Sequence, residues 1–287
     1  MSTSNTIKAS VIQCSTVKYD LDATLEKMDS LIRIARERDG SQLAVFPEAF
    51  IGGYPKGLTF GCTIGERDPS GGDDLLAYHK SAITIPGPAI TRIEAIAKQH
   101  DVFIVSGVIE KDGGTLYCSV VWVHPEHGLV GKRRKLMPTA SERLVWGFGD
   151  ETDVKVCTTT LPRHDEPITL SSNICWENYM PLLRYRIYEL GTQLYCAPTV
   201  DGREDHVTSV KDELDSKTQD DDEATKIAGG SVIIDPLGTI LAGPLRGSEG
   251  VLTAELDLDT ITRGKFDLDV VGHYARKDIF KLSVRSS

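Results

Sequence analysis

The sequence predicts an α/β domain in which helices cover a mixed β-sheet. Three observations carry that prediction. Short apolar runs alternate with stretches of helical periodicity through the first part of the chain, strand pairs joined by glycine turns follow, and an apolar segment ending in Cys175 runs into a helix opened by Pro181.

Residues 9–14 are a short apolar run and read as a buried strand. Over 21–38, Leu25, Met28, Ile32 and Ala35 recur at helical spacing, and Gly40 supplies the stop. Residues 43–46 form a second apolar strand closed by Pro47 and Glu48, after which Gly52, Gly53, Tyr54 and Pro55 make a loop. The composition of 68–74, with Pro69, Gly71, Gly72 and three aspartates, reads as a surface loop. Ile90, Ile93 and Ile96 with Ala97 give 89–99 a helical face that leads into a strand at 102–109. Asp112, Gly113 and Gly114 turn that strand back onto 116–123 as a hairpin. Pro181 starts a helix over 181–190 that Gly191 caps, and 193–197 is a strand. Residues 231–234, 239–241 and 251–256 read as a β-meander.

The chain has 287 residues, 40% of them hydrophobic and 26% charged, which suits an ordinary globular protein with a sizeable core. No apolar run approaches the roughly 18 residues of a membrane span, and residues 1–8 lack the apolar core of a secretory signal. The six cysteines show neither Cys-x-x-Cys pairs nor zinc-like spacing, so reduced thiols and a cytoplasmic location are expected. A net charge of −10 argues against general nucleic-acid binding, because phosphate affinity needs a positive field. Residues 201–226 hold ten acidic and four basic side chains and few apolar ones. Val207, Val210 and Leu214 suit one short amphipathic helix, and 219–223 is expected to be solvated and mobile.

Four side chains at strand ends can carry chemistry. Cys175 stands where an apolar segment gives way to Trp176, Glu177 and Asn178; it is either a nucleophile at a strand-to-helix turn or a thiol packed as a small hydrophobe. Glu48 follows the strand at 43–46, Lys135 ends the basic run at 132–135, and Glu142 follows it. A thiol needs a base to take its proton, a buried carboxylate can be that base, and an ammonium can stabilise charge that appears on the substrate. Each also has a plain reading: Glu48 an edge carboxylate, Lys135 part of a solvated basic face or localisation signal, Glu142 an acid at a helix start. His124 and His127 flank a Pro-Glu turn, a weak case for metal ligation. A Cys/His pair would require His206 or His273, which nothing near Cys175 supports.

Taken together, Phe46-Pro47-Glu48, Lys135-Leu136-Met137-Pro138-Thr139 and the run from Ile174 through Cys175, Trp176, Glu177, Asn178, Tyr179, Met180 and Pro181 to Arg184 strongly resemble the nitrilase superfamily of carbon–nitrogen hydrolases, and within it the nitrilase branch. The stretches 49–57, 142–150, 229–236, 241–244 and 269–276 add to the likeness, which spans about residues 8–282. The resemblance implies a single carbon–nitrogen hydrolase domain over 1–287, built as a four-layer αββα sandwich and ending in a tail at 277–287. It implies Cys175 as nucleophile, Glu48 as general base, Lys135 as charge stabiliser and Glu142 as a second glutamate orienting lysine and substrate, with Tyr54 and Trp176 lining the pocket. The implied reaction converts a nitrile to its carboxylic acid and ammonia through a thioimidate and a thioester, with no metal or organic cofactor. The implied assembly is a homo-oligomer, with no membrane or nucleic-acid partner.

The chain departs from the family's pattern between 201 and 228, where a helix-plus-strand element has no match. Loss of an internal strand would expose backbone donors and acceptors on its neighbours. Asn173 is the second departure, since a polar side chain on a buried strand needs partners or costs about 1–3 kcal/mol. Two alternatives to a nitrilase stay open on the sequence: an amidase using the same groups, and an impaired remnant serving as an assembly subunit.

Overall fold

A computed structural model describes residues 5–200 and 229–285. The expectations for the acidic segment at 201–228, including the unmatched helix–strand element, the amphipathic helix and mobility, lie outside those residues.

Among the described residues six strands form the main sheet, β1 (Thr6–Gln13), β2 (Leu43–Val45), β5 (Phe103–Asp112), β6 (Thr115–His124), β7 (Gly128–Arg134) and β13 (Gly250–Asp257), while β3 (Cys62–Thr63) and β4 (Glu66–Arg67) pair with each other. The order of the six is β13-β1-β2-β5-β6-β7, with β1, β2 and β5 parallel and the remaining neighbours antiparallel. The mixed character follows from the connections. Helices α1 (Leu21–Glu37) and α3 (Pro88–His100) lie in the crossovers between parallel neighbours, whereas the Gly113–Gly114 turn leaves β5 and β6 antiparallel. Asp20 caps α1 by accepting from the Ala23 amide at 2.9 Å.

Because side chains alternate along a strand, the sheet serves two cores. Ala44, Ile104, Val121 and Val123 face the helices and pack with Met28, Ile32, Ile93 and Ala97. Leu43, Phe103, Val105, Val120 and Trp122 face the other way, onto a three-stranded sheet of order β10-β9-β8: β8 (Cys157–Leu161), β9 (His164–Ser172) and β10 (Leu194–Cys196). Ile168, Leu170, Leu194 and Cys196 meet them there. On the far face of that second sheet, α4 (Pro181–Glu189) sets Tyr188 against Tyr195 of β10, ring centroids 6.0 Å apart. Helix, sheet, sheet, helix: the αββα sandwich is the observed order of layers.

Two readings of the sequence change. Residues 68–74 are loop only as far as Ser70; α2 (Gly71–Ser81) begins inside the stretch, with Asp73 and Asp74 in its favourable first turn. Gly71 is required there by close approach, since a Cβ would lie 2.0 Å from the Phe60 carbonyl oxygen. The C-terminal meander also divides. The strands β11 (Gly229–Ile234) and β12 (Ile240–Arg246) pair with each other, while β13 leaves them to join β1 through eight aligned residue pairs. Periodicity specifies a strand but not its neighbour.

Candidate active site

Lys135 owes its place to the pleat of β7. Along Lys132, Arg133, Arg134 and Lys135, alternate side chains leave opposite faces. Lys132 and Arg134 point outward and pair with Glu110 on β5. Burial raises the Glu110 pKa, but hydrogen bonds from Arg134, Lys132 and Ser119 outweigh it and hold the carboxyl below the usual range. Arg133 and Lys135 point inward and are fully buried. The basic run is therefore a structural alternation with every member paired.

Glu48 lies just beyond β2, where the ladder with β5 continues through Phe46 N to Val105 O (2.8 Å) and Gly107 N to Pro47 O (3.1 Å). Gly107 underlies this loop so closely that a Cβ would sit 2.3 Å from the Pro47 oxygen and 2.6 Å from the Glu48 Cα. Glu142 occupies a short 3₁₀ turn at Ala140–Leu144 and accepts from the Thr139 amide at 2.5 Å, a side-chain cap on its own turn.

These three side chains meet. Lys135 Nζ donates to Glu48 Oε1 at 2.7 Å and to Glu142 Oε2 at 2.8 Å, and Tyr54 Oη donates to Glu142 Oε1 at 2.8 Å. Trp146 covers the ammonium, 5.5 Å from its ring centroid, and its indole N–H is held by Tyr78 at 3.0 Å. The Cys118 thiol lies 3.6 Å from Glu48 Oε1.

Cys175 begins the 3₁₀ turn Cys175–Tyr179, in the left-handed region at φ 53°. Its amide donates to Pro198 O at 3.0 Å, and its sulfur lies 3.9 Å from Val200 O. The amide of that same Val200 donates to Glu48 Oε2 at 3.0 Å. One residue beyond β10 thus touches thiol and carboxylate together. Left-handed backbone recurs at Ala49, next to Glu48, and at Ala140, between Lys135 and Glu142; at non-glycine residues this costs about 1–2 kcal/mol each.

The electrostatics set distinct states. Burial, reinforced by the Glu48 charge and only partly offset by Lys135, pushes the Cys175 thiol up to about 12. Burial likewise raises Glu48 above an ordinary glutamate against the opposing pull of Lys135. Burial lowers the Lys135 pKa, yet the facing Glu48 and Glu142 carboxylates more than offset it and keep the ammonium charged. Tyr54 is raised by burial and by Glu142, so its hydroxyl stays a donor. The resting site holds a neutral thiol, a carboxylate of raised basicity and a fixed cation, which suits proton transfer during attack rather than a preformed thiolate.

Of the residues singled out in the sequence, Glu48, Lys135, Glu142 and Tyr54 form one hydrogen-bonded cluster, with Cys175 beside it through Val200. Trp176, 46% exposed, turns its indole toward Tyr179, with ring centroids 5.7 Å apart. His124 Nδ1 accepts from the Glu126 and His127 amides, the role of a turn cap, and His273 lies against Tyr274. His206 is outside the described residues. Sequence reasoning missed Arg133, Glu177, Asn178, Tyr195 and the Val200 peptide. The first could have been found from the alternation of a four-cation run on a strand. Glu177 and Asn178 lie within one turn of Cys175.

The architecture is shared with proteins of known structure. Nit3 from Saccharomyces cerevisiae, a member of branch 10 of the nitrilase superfamily, superposes with a TM-score of 0.65 at 17% identity, over 94% of this chain and 97% of its own. An amidase from Nesterenkonia sp. gives 0.63 at 17%, over 92% and 95%. The carbon-nitrogen hydrolase family pattern matches residues 8–215 and 206–266, and the chain belongs to that family. An arylacetonitrilase from Trametes versicolor is 53% identical over 98% of this chain and 97% of its own length. An aliphatic nitrilase from Sinorhizobium fredii is 43% identical over 96% and 95%, and the bifunctional nitrilase/nitrile hydratase NIT4B from Nicotiana tabacum is 44% identical over 99% and 87%. The Trametes alignment runs for 311 positions, more than the 287 residues of this chain, so the relative carries residues with no counterpart here. The two family matches overlap within the acidic stretch, which is where the sequence departs from the pattern.

Proposed function

We propose that the protein hydrolyses a nitrile to its carboxylic acid and ammonia, with Cys175 as nucleophile, Glu48 as base, Lys135 as charge stabiliser and Glu142 orienting the lysine. The observation that carries this reading is the meeting of Glu48 and Cys175 at the backbone N–H and C=O of one residue, Val200, with Lys135 bonded to Glu48 from the other side. Glu48 takes the thiol proton as sulfur attacks the nitrile carbon and passes it to the nitrogen, so that a neutral thioimidate forms and the carboxylate is restored. Lys135 faces the nitrogen as electron density gathers there. Water adds to the carbon, ammonia leaves, and a thioester remains. A second water, deprotonated by Glu48, releases the acid and the thiol. Two waters enter for each nitrile, and acid and ammonia leave. Tyr54 and the turn at Trp176 border the substrate.

An arylacetonitrile is the substrate to try first, given the name of the 53% identical relative. Breaking carbon–sulfur instead of carbon–nitrogen in the tetrahedral intermediate releases an amide, and the bifunctional name of the tobacco relative makes this the second product to assay. Exposed Tyr179, Leu182, Phe266 and Phe280 supply apolar surface for self-association, and six unpaired cysteines suit a reducing cytoplasm. Ammonia release from phenylacetonitrile, with Cys175→Ala as blank, tests the activity. Release no greater than the blank, across aryl and aliphatic nitriles, overturns it.

A further inference from the structure

Behind the sulfur, the Cys175 turn is gripped by a ring of side chains outside the catalytic cluster. Asn178 Nδ2 donates to the Cys175 carbonyl at 2.7 Å and to the Asn173 carbonyl at 3.1 Å. With its amide nitrogen committed to two carbonyls, Asn178 must present Oδ1 to Tyr195, whose hydroxyl donates to it at 2.8 Å. The Tyr195 oxygen then has only acceptor capacity left and takes Asn173 Nδ2 at 2.9 Å. Every direction in the ring is set by the two backbone carbonyls. The same logic accounts for Asn173 Oδ1, buried with no hydrogen-bond partner among the described residues: its amide is turned to serve Tyr195.

The carbonyl that Asn178 holds belongs to the peptide joining Cys175 to Trp176. A peptide is a rigid plane whose C=O and N–H point in opposite directions, so anchoring one aims the other. Because Cys175 sits at φ 53°, this plane needs restraint to stay where it is. The Trp176 N–H on its far side lowers the pKa of the Cys175 thiol, as a donor facing the sulfur must.

We propose that Tyr195 and Asn178 are positioning residues for the nucleophile: Tyr195 fixes the Asn178 amide, Asn178 fixes the 175–176 peptide, and the Trp176 N–H is thereby held on the negative charge that develops at the sulfur during attack. The proposal rests on the reading of Cys175 as nucleophile. Neither residue touches substrate. Both act through the backbone.

Tyr195→Phe removes one oxygen and keeps the ring, and Asn178→Ala removes the amide. The direct readout needs no nitrile: the rate of Cys175 alkylation by iodoacetamide against pH, followed on the Cys175 peptide by mass spectrometry. In Tyr195→Phe alkylation at each mildly alkaline pH should slow by roughly threefold to tenfold, and kcat on a nitrile should fall about tenfold with KM within about threefold. The double variant should be no worse than Asn178→Ala, because the tyrosine acts through the asparagine. An unchanged alkylation profile in Tyr195→Phe overturns the proposal, as do losses that multiply in the double variant. Should Asn178→Ala fail to fold, Tyr195→Phe decides alone. A protein that releases no ammonia from any nitrile removes the functional reading, while the alkylation profile still judges the relay.

Discussion

Arg133 and Glu177 form a buried two-pronged ion pair, 2.6 and 2.8 Å, that ties the strand ahead of Lys135 to the turn carrying Cys175. The carboxylate also accepts the Leu136 and Ile174 amides at 2.7 Å each, and the guanidinium donates to the carbonyls of Ser172 and Asp153. Both charges are surrounded by bonds, the condition under which a buried pair is tolerated. Removing one partner leaves the other charged and stranded. Glu177→Gln or Arg133→Met should therefore lower stability by about 3–5 kcal/mol, measured by urea unfolding. Arg133→Met with Glu177→Leu should recover part of that stability but not the activity, because the link between the two loops is gone.

Glu48→Gln should separate turnover from thiol reactivity. The Glu48 charge is one reason the Cys175 thiol lies near 12, so neutralising it should lower that pKa and speed alkylation at a fixed alkaline pH, while nitrile turnover is lost with the base. Slower alkylation in the variant would contradict this account. In the native protein Glu48 must be ionised to accept a proton. Its pKa is raised, so activity should climb with pH through a limb lying above the ordinary glutamate value, and fall away below it.

Lys135→Ala should move the thiol in the opposite direction. The ammonium lowers the Cys175 pKa, and its removal also leaves Glu48 and Glu142 facing one another without a cation. Alkylation should slow and kcat should fall by roughly 10²–10³-fold, the scale for losing one charge-stabilising group. A kcat within threefold of native would remove Lys135 from the mechanism.

Gly107→Ala tests the floor under Glu48. A methyl group placed 2.3 Å from the Pro47 oxygen must push the Glu48 loop off β5, at a cost of about 1–3 kcal/mol in stability. Activity should fall with it although residue 107 contributes no side chain to the site. Ammonia release and the thermal midpoint together check this.

Periodicity was enough for α1, α3, β1, β2 and the β5–β6 hairpin, because each is a long or sharply bounded run whose burial follows its own pattern. It was not enough for α2, whose two opening glycines read as loop although the first is dictated by contact with Phe60, or for β13, whose partner lies at the other end of the chain, with Thr253 opposite Ser10. At the site, the ionisable residues stood out by type and by their place at strand ends. The supports did not, since Tyr195 lies on a short strand that reads as plain apolar sequence and Asn178 is one amide among many. Only the closed hydrogen-bond ring gives them a role.

Val200 joins the thiol and the carboxylate through its backbone C=O and N–H and not through its side chain. An alanine scan would step over it without effect, and evolution is free to vary its identity so long as the residue keeps an N–H. Proline is the substitution that selection should refuse there.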